Sequence, residues 1–234
     1  MSDTVVWHDV ECGAYRADLP VWRRLAAAAG GGQLLDVGAG TGRVTLDLAA
    51  RGRSVIALER DGELAAELER RAAGLPVEVI CADACDFALE RRVALCIVPM
   101  QTVQLLEDRA AFLRCARACL EGGGLLALAI LGSDLQPFEV ELPADVAQHG
   151  GVSYASAPTA LRQTHDTVVL ERRRRASSED GTRETLDVIE LRRLAPETLI
   201  TEGQAAGLLA REPIAIAPTA QHAGSVIVCL EAPR

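Results

Sequence analysis

Three glycines at alternate positions, Gly38, Gly40 and Gly42, follow Asp36, and two further carboxylates, Glu59 and Asp83, stand at the ends of later apolar runs. Residues of these types can together hold a ligand built on a nucleoside. Glycine adopts left-handed backbone angles cheaply and lets a ligand lie against bare main chain. The carbonyls of such a turn can accept from an ammonium group, and its N–H groups can hold a carboxylate. A carboxylate at a strand end, as Glu59 would be, can take two neighbouring ribose hydroxyls. Asp83, beside the apolar Ala84 and Phe87, can accept from an adenine amino group.

These residues need elements to position them. Leu34 to Ala49 reads as a strand, a tight turn and a helix, the opening of a βαβ unit. Ser54 to Leu58 predicts a second strand with Glu59 at its end, and Asp61 can cap a helix whose stripe is Leu64, Ala65, Leu68 and Ala72. Gly74 and Pro76 stop it. VEVICADACDF predicts a third strand ending at Asp83, and VALCIVPM a fourth terminated by Pro99. Asp108 can cap a helix running to about Leu120, which Gly122, Gly123 and Gly124 are expected to close before the strand LLALAIL. A parallel sheet with helices on both faces is the expected solution.

Upstream, Pro20 sits in the first turn of a predicted helix with Val21, Trp22, Leu25 and Ala29 on one face. Before it, Trp7, His8, Glu11, Tyr15 and Asp18 cluster without strong periodicity, in an arm that either packs or folds over a pocket. From Asp134 the helical period gives way to alternation, and residues 164–194 predict two extended strands joined at SSEDG. The one dense basic run, Arg172 to Arg175, is there: either a solvated hairpin arm or a site for a substrate carboxylate or phosphate. A helix beginning near Pro196 and two closing strands follow. The loop between those strands is so short that they must be antiparallel neighbours.

The 234 residues suffice for one α/β domain with a small appended subdomain. With only two Trp, two Tyr and three Phe, the core must be aliphatic. A net charge of −9 argues against a protein that tracks a phosphate backbone, so the expected partner is a small molecule and not a nucleic acid. The N-terminus has no basic region followed by an apolar core, and no apolar run approaches the roughly 18 residues of a membrane span, so the cytoplasm is the expected compartment, without membrane association. Seven cysteines, an odd number, are expected as reduced thiols. The Cys81/Cys85 and Cys115/Cys119 spacings are not those of a zinc ribbon, and no metal is expected.

A nicotinamide or flavin turn wants G-x-G-x-x-G, and counting from Gly38 the third position is Arg43. The pattern Asp36-x-Gly38-x-Gly40-x-Gly42 instead resembles the glycine-rich motif of the class I S-adenosylmethionine-dependent methyltransferases. The resemblance continues in Glu59, followed by Arg60 and Asp61, in Asp83-Ala84, and in the closing runs Ile214 to Ala217 and Val226 to Leu230, which look like the family's sixth and seventh strands. It covers residues 34–133 and 196–234.

That resemblance implies a Rossmann-like seven-stranded sheet, mostly parallel with the last strand antiparallel, helices on both faces and an inserted β-rich lid. The core would be 1–133 and 196–234, including an N-terminal arm 1–30, and the lid 134–195, expected over the carboxyl edge of the sheet. S-adenosylmethionine would be the cofactor and S-adenosylhomocysteine the product. The cofactor-binding residues would be Asp36, Gly38, Ala39, Gly40, Thr41, Gly42, Glu59, Arg60, Asp83, Ala84 and Pro99. The loop after strand four, Val98 to Thr102, lacks the acidic-or-Asn, Pro-Pro, aromatic pattern of members that methylate nucleobases or glutamine. The expected reaction is therefore N- or O-methylation of a small molecule, with Tyr15, Met100 and Gln101 as acceptor contacts. His149, His165 and His222 are the histidines from which a base could come, and none is assigned. The rival readings are a non-catalytic adenosyl-binding regulatory or scaffold module and a dinucleotide-dependent oxidoreductase. Homodimerisation is left open.

Overall fold

The computed structural model describes residues 1–132, 135–219 and 223–234. The chain divides into two compact units, a smaller one of residues 1–15 and 134–193 and a larger one of residues 16–133 and 194–234. In chain order the elements are α1 (Asp3–Cys12), α2 (Leu19–Ala28), β1 (Leu34–Val37), α3 (Arg43–Ala49), β2 (Val55–Glu59), α4 (Gly62–Arg71), β3 (Val77–Cys81), β4 (Val93–Val98), α5 (Thr102–Leu105) and α6 (Arg109–Cys119). They continue with β5 (Leu120–Leu131), β6 (Asp145–His149), β7 (Val152–Gln163), β8 (Thr167–Ser178), β9 (Gly181–Arg192), α7 (Pro196–Ala205), β10 (Leu209–Ile216) and β11 (Ser225–Glu231).

The larger unit is built on a seven-stranded sheet in the order β10-β11-β5-β4-β1-β2-β3. Strands β1 to β5 pair in parallel. β11 runs antiparallel to both β5 and β10, as the short closing loop requires. Both faces are covered, which is why the strands read as continuous apolar runs. Leu35, Val37, Ile56 and Leu58 pack with Phe112 and Leu113 on one side. On the other, Leu34, Val55, Leu95 and Ile97 pack with Trp22, Val44 and Leu48. The chain builds β1, β2 and β3 outward in one direction and then returns to place β4 and β5 on the opposite side of β1. That reversal makes the carboxyl ends of β1 and β4 the switch point of the sheet, the place at which open α/β sheets bind ligands.

The caps form where the sequence puts them. The Asp61 side chain accepts from the N–H groups of Glu63 and Leu64, and that of Asp108 from Ala111. Two boundaries differ. The third strand ends at Cys81, two residues before Asp83. Gly122, Gly123 and Gly124 do not close α6, because β5 already begins at Leu120 and runs through them. Gly123 has φ 82°, its N–H donates to the Ala232 carbonyl, and Ala232 N–H returns a bond to Gly124. The glycines thus form an irregular strand opening, whose backbone groups are satisfied by the C-terminal segment.

The smaller unit is α1 with a four-stranded antiparallel sheet, β6-β7-β8-β9. The SSEDG turn joins β8 to β9 as expected, while β6 and β7 add two strands that the two-strand expectation lacked. The aperiodic-looking start of the chain is a helix: Ser2 caps α1, and Val5, Val6, Trp7 and Val10 are buried. Trp7 meets Tyr154 edge to face with ring centroids 5.1 Å apart. Residues 1–15 therefore group with this sheet in one compact unit, whereas the expected arm 1–30 is counted with the core. Among the described residues no helix is long and apolar enough to cross a membrane.

Candidate active site

At the carboxyl edge of the large sheet the glycine turn leaves β1. Gly38, Gly40 and Gly42 all have left-handed backbone angles, φ 69°, 57° and 99°. Gly38 and Ala39 both donate to the Leu58 carbonyl, at 2.8 and 3.1 Å, which ties the turn to β2. A Cβ on Gly38 would lie 2.5 Å from Cγ2 of Thr102, and one on Gly42 would lie 2.3 Å from Cδ1 of Leu68. The turn therefore touches the segment after β4, and the two are fitted to each other.

Two carboxylates sit at this turn. Glu59, the last residue of β2, is 8% exposed. Its Oε2 accepts from Gly40 N–H at 2.8 Å and its Oε1 from Asp61 N–H at 3.0 Å. Each oxygen has a second lone pair and can still take a hydroxyl proton. Asp36, inside β1, is 1% exposed, and its Oδ2 accepts from Thr45 Oγ1 at 2.6 Å. Its Oδ1 is buried and has no hydrogen-bond partner. Burial raises the Asp36 carboxyl to about 7, opposed by the Thr45 bond and the Arg43 charge and reinforced by Glu59. A buried acceptor left without a donor costs about 1–3 kcal/mol. An acceptor of this kind beside a glycine turn is chemically suited to the ammonium of an amino-acid-bearing ligand.

Arg43, at the position of a third glycine, opens α3 and forks onto Asp18. Asp83 is exposed in the turn after β3, where its Oδ1 accepts from Cys85 N–H at 2.7 Å. Ala84 beside it is buried and Phe87 packs partly against the core. Arg60 is exposed next to Glu59, and Thr41 is buried in the turn. After β4, the buried Pro99 accepts from Thr102 Oγ1 at 3.1 Å. Met100 then has φ 54° and is the one non-glycine residue with positive φ among the described residues. Left-handed backbone at a non-glycine residue is costly and collects at functional sites. Gln101 is half-buried just before α5.

Not every expected residue falls in this group. Tyr15 is buried but belongs to the smaller unit, as do the exposed His149 and His165. His222 lies outside the described residues. The arginine run is not an open anion site, because Arg172 and Arg174 face Glu11, Arg173 pairs with Glu141 and Arg175 with Glu184. The structure adds Asp18, Thr45 and Gln104, which the sequence reading left without a role here. Gln104 is buried, and its Oε1 accepts from Leu131 N–H at 2.8 Å, tying α5 to the end of β5. For Thr45 the available signal was a polar residue next to Val44 on the buried side of α3. All seven cysteines are free thiols, and among the described residues no group of three His, Cys, Asp or Glu side chains could hold a metal.

Residues 34–124 match the family model of a methyltransferase domain, a span that contains the glycine turn, all three carboxylates and the loop after β4. The match covers less than half of the chain, and within residues 34–124 it is a likeness to a methyltransferase domain. Among curated relatives, the ribosomal RNA small subunit methyltransferase A of Deinococcus radiodurans is 43% identical over 70 residues, covering 29% of this chain and 24% of the relative. The chain thus spans about a quarter of that relative's length. Several solved structures match nearly end to end, among them two whose acceptor class is stated. One is CalS10 with bound S-adenosylmethionine, an amino pentose methyltransferase of Micromonospora echinaspora, with TM-score 0.75, 21% identity and coverage of 98% of both chains. The other is the sugar N-methyltransferase KedS8 of Streptoalloteichus, with TM-score 0.80, 20% identity and coverage of 100% of this chain and 94% of that one. At such identities the likeness establishes a shared fold. Here the fold's carboxyl edge carries the turn, with Asp36 and Glu59 on adjacent strands.

Proposed function

We propose that this protein is an S-adenosylmethionine-dependent methyltransferase, which transfers the methyl group of that cofactor to a nitrogen or oxygen of a small-molecule acceptor. The observation that carries the reading is the pairing of a buried, unpartnered Asp36 oxygen with a glycine turn that Glu59 holds in place. Asp36 and the turn residues Gly38, Ala39, Gly40, Thr41 and Gly42 would hold the amino-acid end of the cofactor. Glu59 and Arg60 would hold the ribose, Asp83 and Ala84 the adenine, and Pro99 would border the site. When bound, S-adenosylmethionine supplies a methyl carbon already activated for displacement. What remains for the protein is to align the acceptor and exclude water. Met100 and Gln101, in the strained segment that packs on the turn, are the acceptor-side residues of this reading. No base is assigned.

Three considerations support a small acceptor. The net charge is −9, which disfavours a phosphate backbone. The loop after β4 lacks the pattern of nucleobase methylation. CalS10 and KedS8, alike along nearly the whole chain, are described as methyltransferases of an amino pentose and of sugar nitrogen. The ribosomal RNA enzyme matches over less than a third of the chain.

Thermal-shift measurements with S-adenosylmethionine, S-adenosylhomocysteine, NAD and NADP test the cofactor, since a ligand of the native state raises apparent stability. Stabilisation by the adenosyl ligands is expected, and stabilisation by NAD alone would overturn the reading. Release of S-adenosylhomocysteine is then followed over a panel of amino sugars, amino acids, hydroxylated metabolites and RNA. Turnover with RNA and with none of the small molecules would reject the small acceptor.

A further inference from the structure

Arg43 stands where a dinucleotide turn would have a glycine, and it is deeply committed. Its Nη1 and Nη2 donate to the two oxygens of Asp18 at 2.6 and 2.7 Å, and the side chains are 7% and 2% exposed. Trp22 Nε1 adds a third donor, 2.8 Å from Asp18 Oδ2. Asp18 immediately precedes α2, and Arg43 is the first residue of α3. A second pair of opposite sense joins the same helices, from Arg23 in α2 to Asp47 in α3 at 2.7 Å, with Arg23 38% exposed.

Ion pairs buried this deeply add little net stability, since well-packed apolar residues of similar volume often do as well. What a bidentate, three-donor arrangement fixes is geometry. The geometry in question leads to the ligand site in two steps. Arg43 pins the first turn of α3, and Thr45, two residues on, donates to Asp36 Oδ2 at 2.6 Å. The oxygen left without a partner is then Asp36 Oδ1.

We propose that the Asp18–Arg43 pair is a positioning device for the cofactor turn, which holds Thr45 on Asp36 so that the second Asp36 oxygen is presented to the ligand. The inference rests on the cofactor reading above and assigns Asp18, Arg43 and Trp22 a place in it. None of the three acts on the reacting atoms. Their effect passes through α3.

Isothermal titration with S-adenosylhomocysteine, far below the unfolding temperature, tests it on the full chain and on Asp18→Asn, Arg43→Gln, the Asp18→Asn/Arg43→Gln double variant, Arg43→Lys and Arg23→Gln. Each single neutralisation leaves a buried charge alone, so Tm falls and affinity drops about tenfold or more. The double variant removes the orphaned charge and recovers much of the Tm, yet its affinity stays about tenfold below the parent. Arg43→Lys keeps the charge without the fork and binds at an intermediate level, while Arg23→Gln binds like the parent. If affinity in the double variant recovers together with Tm, the pair is structural only and the inference is wrong. If a single variant is too unstable to purify, the double and Arg43→Lys still decide the question. A parent protein that does not bind S-adenosylhomocysteine would instead remove the cofactor reading itself.

Discussion

In the smaller unit the arginine run of β8 is answered residue by residue, Arg174 by Glu11 and Asp187, Arg172 by Glu11, Arg173 by Glu141 and Arg175 by Glu184. In the larger unit Asp36 is more deeply buried than any of these, and its hydrogen bonding comes from Thr45 and not from a cation. Asp187 also keeps one buried oxygen without a hydrogen bond, but its other oxygen holds Arg174 at 2.9 Å. An arginine run answered by its own neighbours is not left open to an anionic ligand. A buried carboxylate with no cation of its own is destabilising until something binds. The densest charge in the sequence is therefore scaffold, and a solitary aspartate marks the proposed site.

The largest expected effect follows from that contrast. Asp36 is raised to about 7 by burial, against an ordinary 3.8 in the unfolded chain. Between those values the folded protein holds the proton and the unfolded protein does not. Stability of the ligand-free protein therefore falls as pH rises from about 4 to about 7, by roughly 4 kcal/mol for this group. Asp36→Asn keeps an acceptor for Thr45 and removes the charge. Urea denaturation should show a variant more stable than its parent at pH 8, with the pH dependence flattened, while affinity for S-adenosylmethionine falls about thirtyfold, or about 2 kcal/mol. A variant that loses stability at pH 8 as well as affinity would mean that Asp36 is not held at a cost, and the contrast between the units would collapse.

Glu59 sharpens the comparison because it is a buried carboxylate satisfied by backbone alone. Glu59→Ala removes the acceptor for Gly40 and Asp61 N–H groups as well as the proposed ribose contact. Cofactor binding should weaken by about 1.5–3 kcal/mol through the lost charge-assisted bonds. A dissociation constant unchanged in calorimetry would remove Glu59 from the ligand site and leave it as a brace for the turn.

Much of the larger unit was legible because its rules are local. Alternate glycines, the strand-end Glu59 and the caps Asp61 and Asp108 act within a few residues of themselves, and they lie where the sequence puts them. The smaller unit was less legible because its logic is long-range. Glu11 finds its partners more than 140 residues away, at Ser156 and Arg174, so a segment with no useful period is a buried helix. Gly122 to Gly124 misled for the same reason, since their partner is the C-terminal Ala232. At the site, composition could name Asp36 and Glu59 but could not show that one has a free oxygen and the other does not. The φ of Met100 and the Asp18–Arg43 fork have no one-dimensional signature either.

The smallest effects are expected in the arginine run, and two neighbouring residues there separate burial from mere pairing. Burial alone would raise Glu11, but the Arg174 bond, the Arg172 and Arg174 charges and the Ser156 bond outweigh it and hold the carboxyl below its ordinary value. Its contribution is therefore present above the ordinary carboxylate range and is lost as pH falls through the lowered folded value. Arg174→Gln leaves Glu11 with weaker partners and removes a cation 5.4 Å from the Trp7 ring, so a loss of about 2 kcal/mol is expected near neutral pH, shrinking in acid. Arg175, in the same strand, pairs with Glu184 where both side chains are exposed, 44% and 49%. Solvent and salt screen such a pair, so Arg175→Gln should leave the denaturation midpoint in place. Cofactor affinity should be the same in both variants, because neither residue belongs to the unit that carries the turn. A weakened affinity in Arg174→Gln alone would show that the charge ledger of the smaller unit is not closed after all, and that Glu11 has a second task besides holding α1 to its sheet.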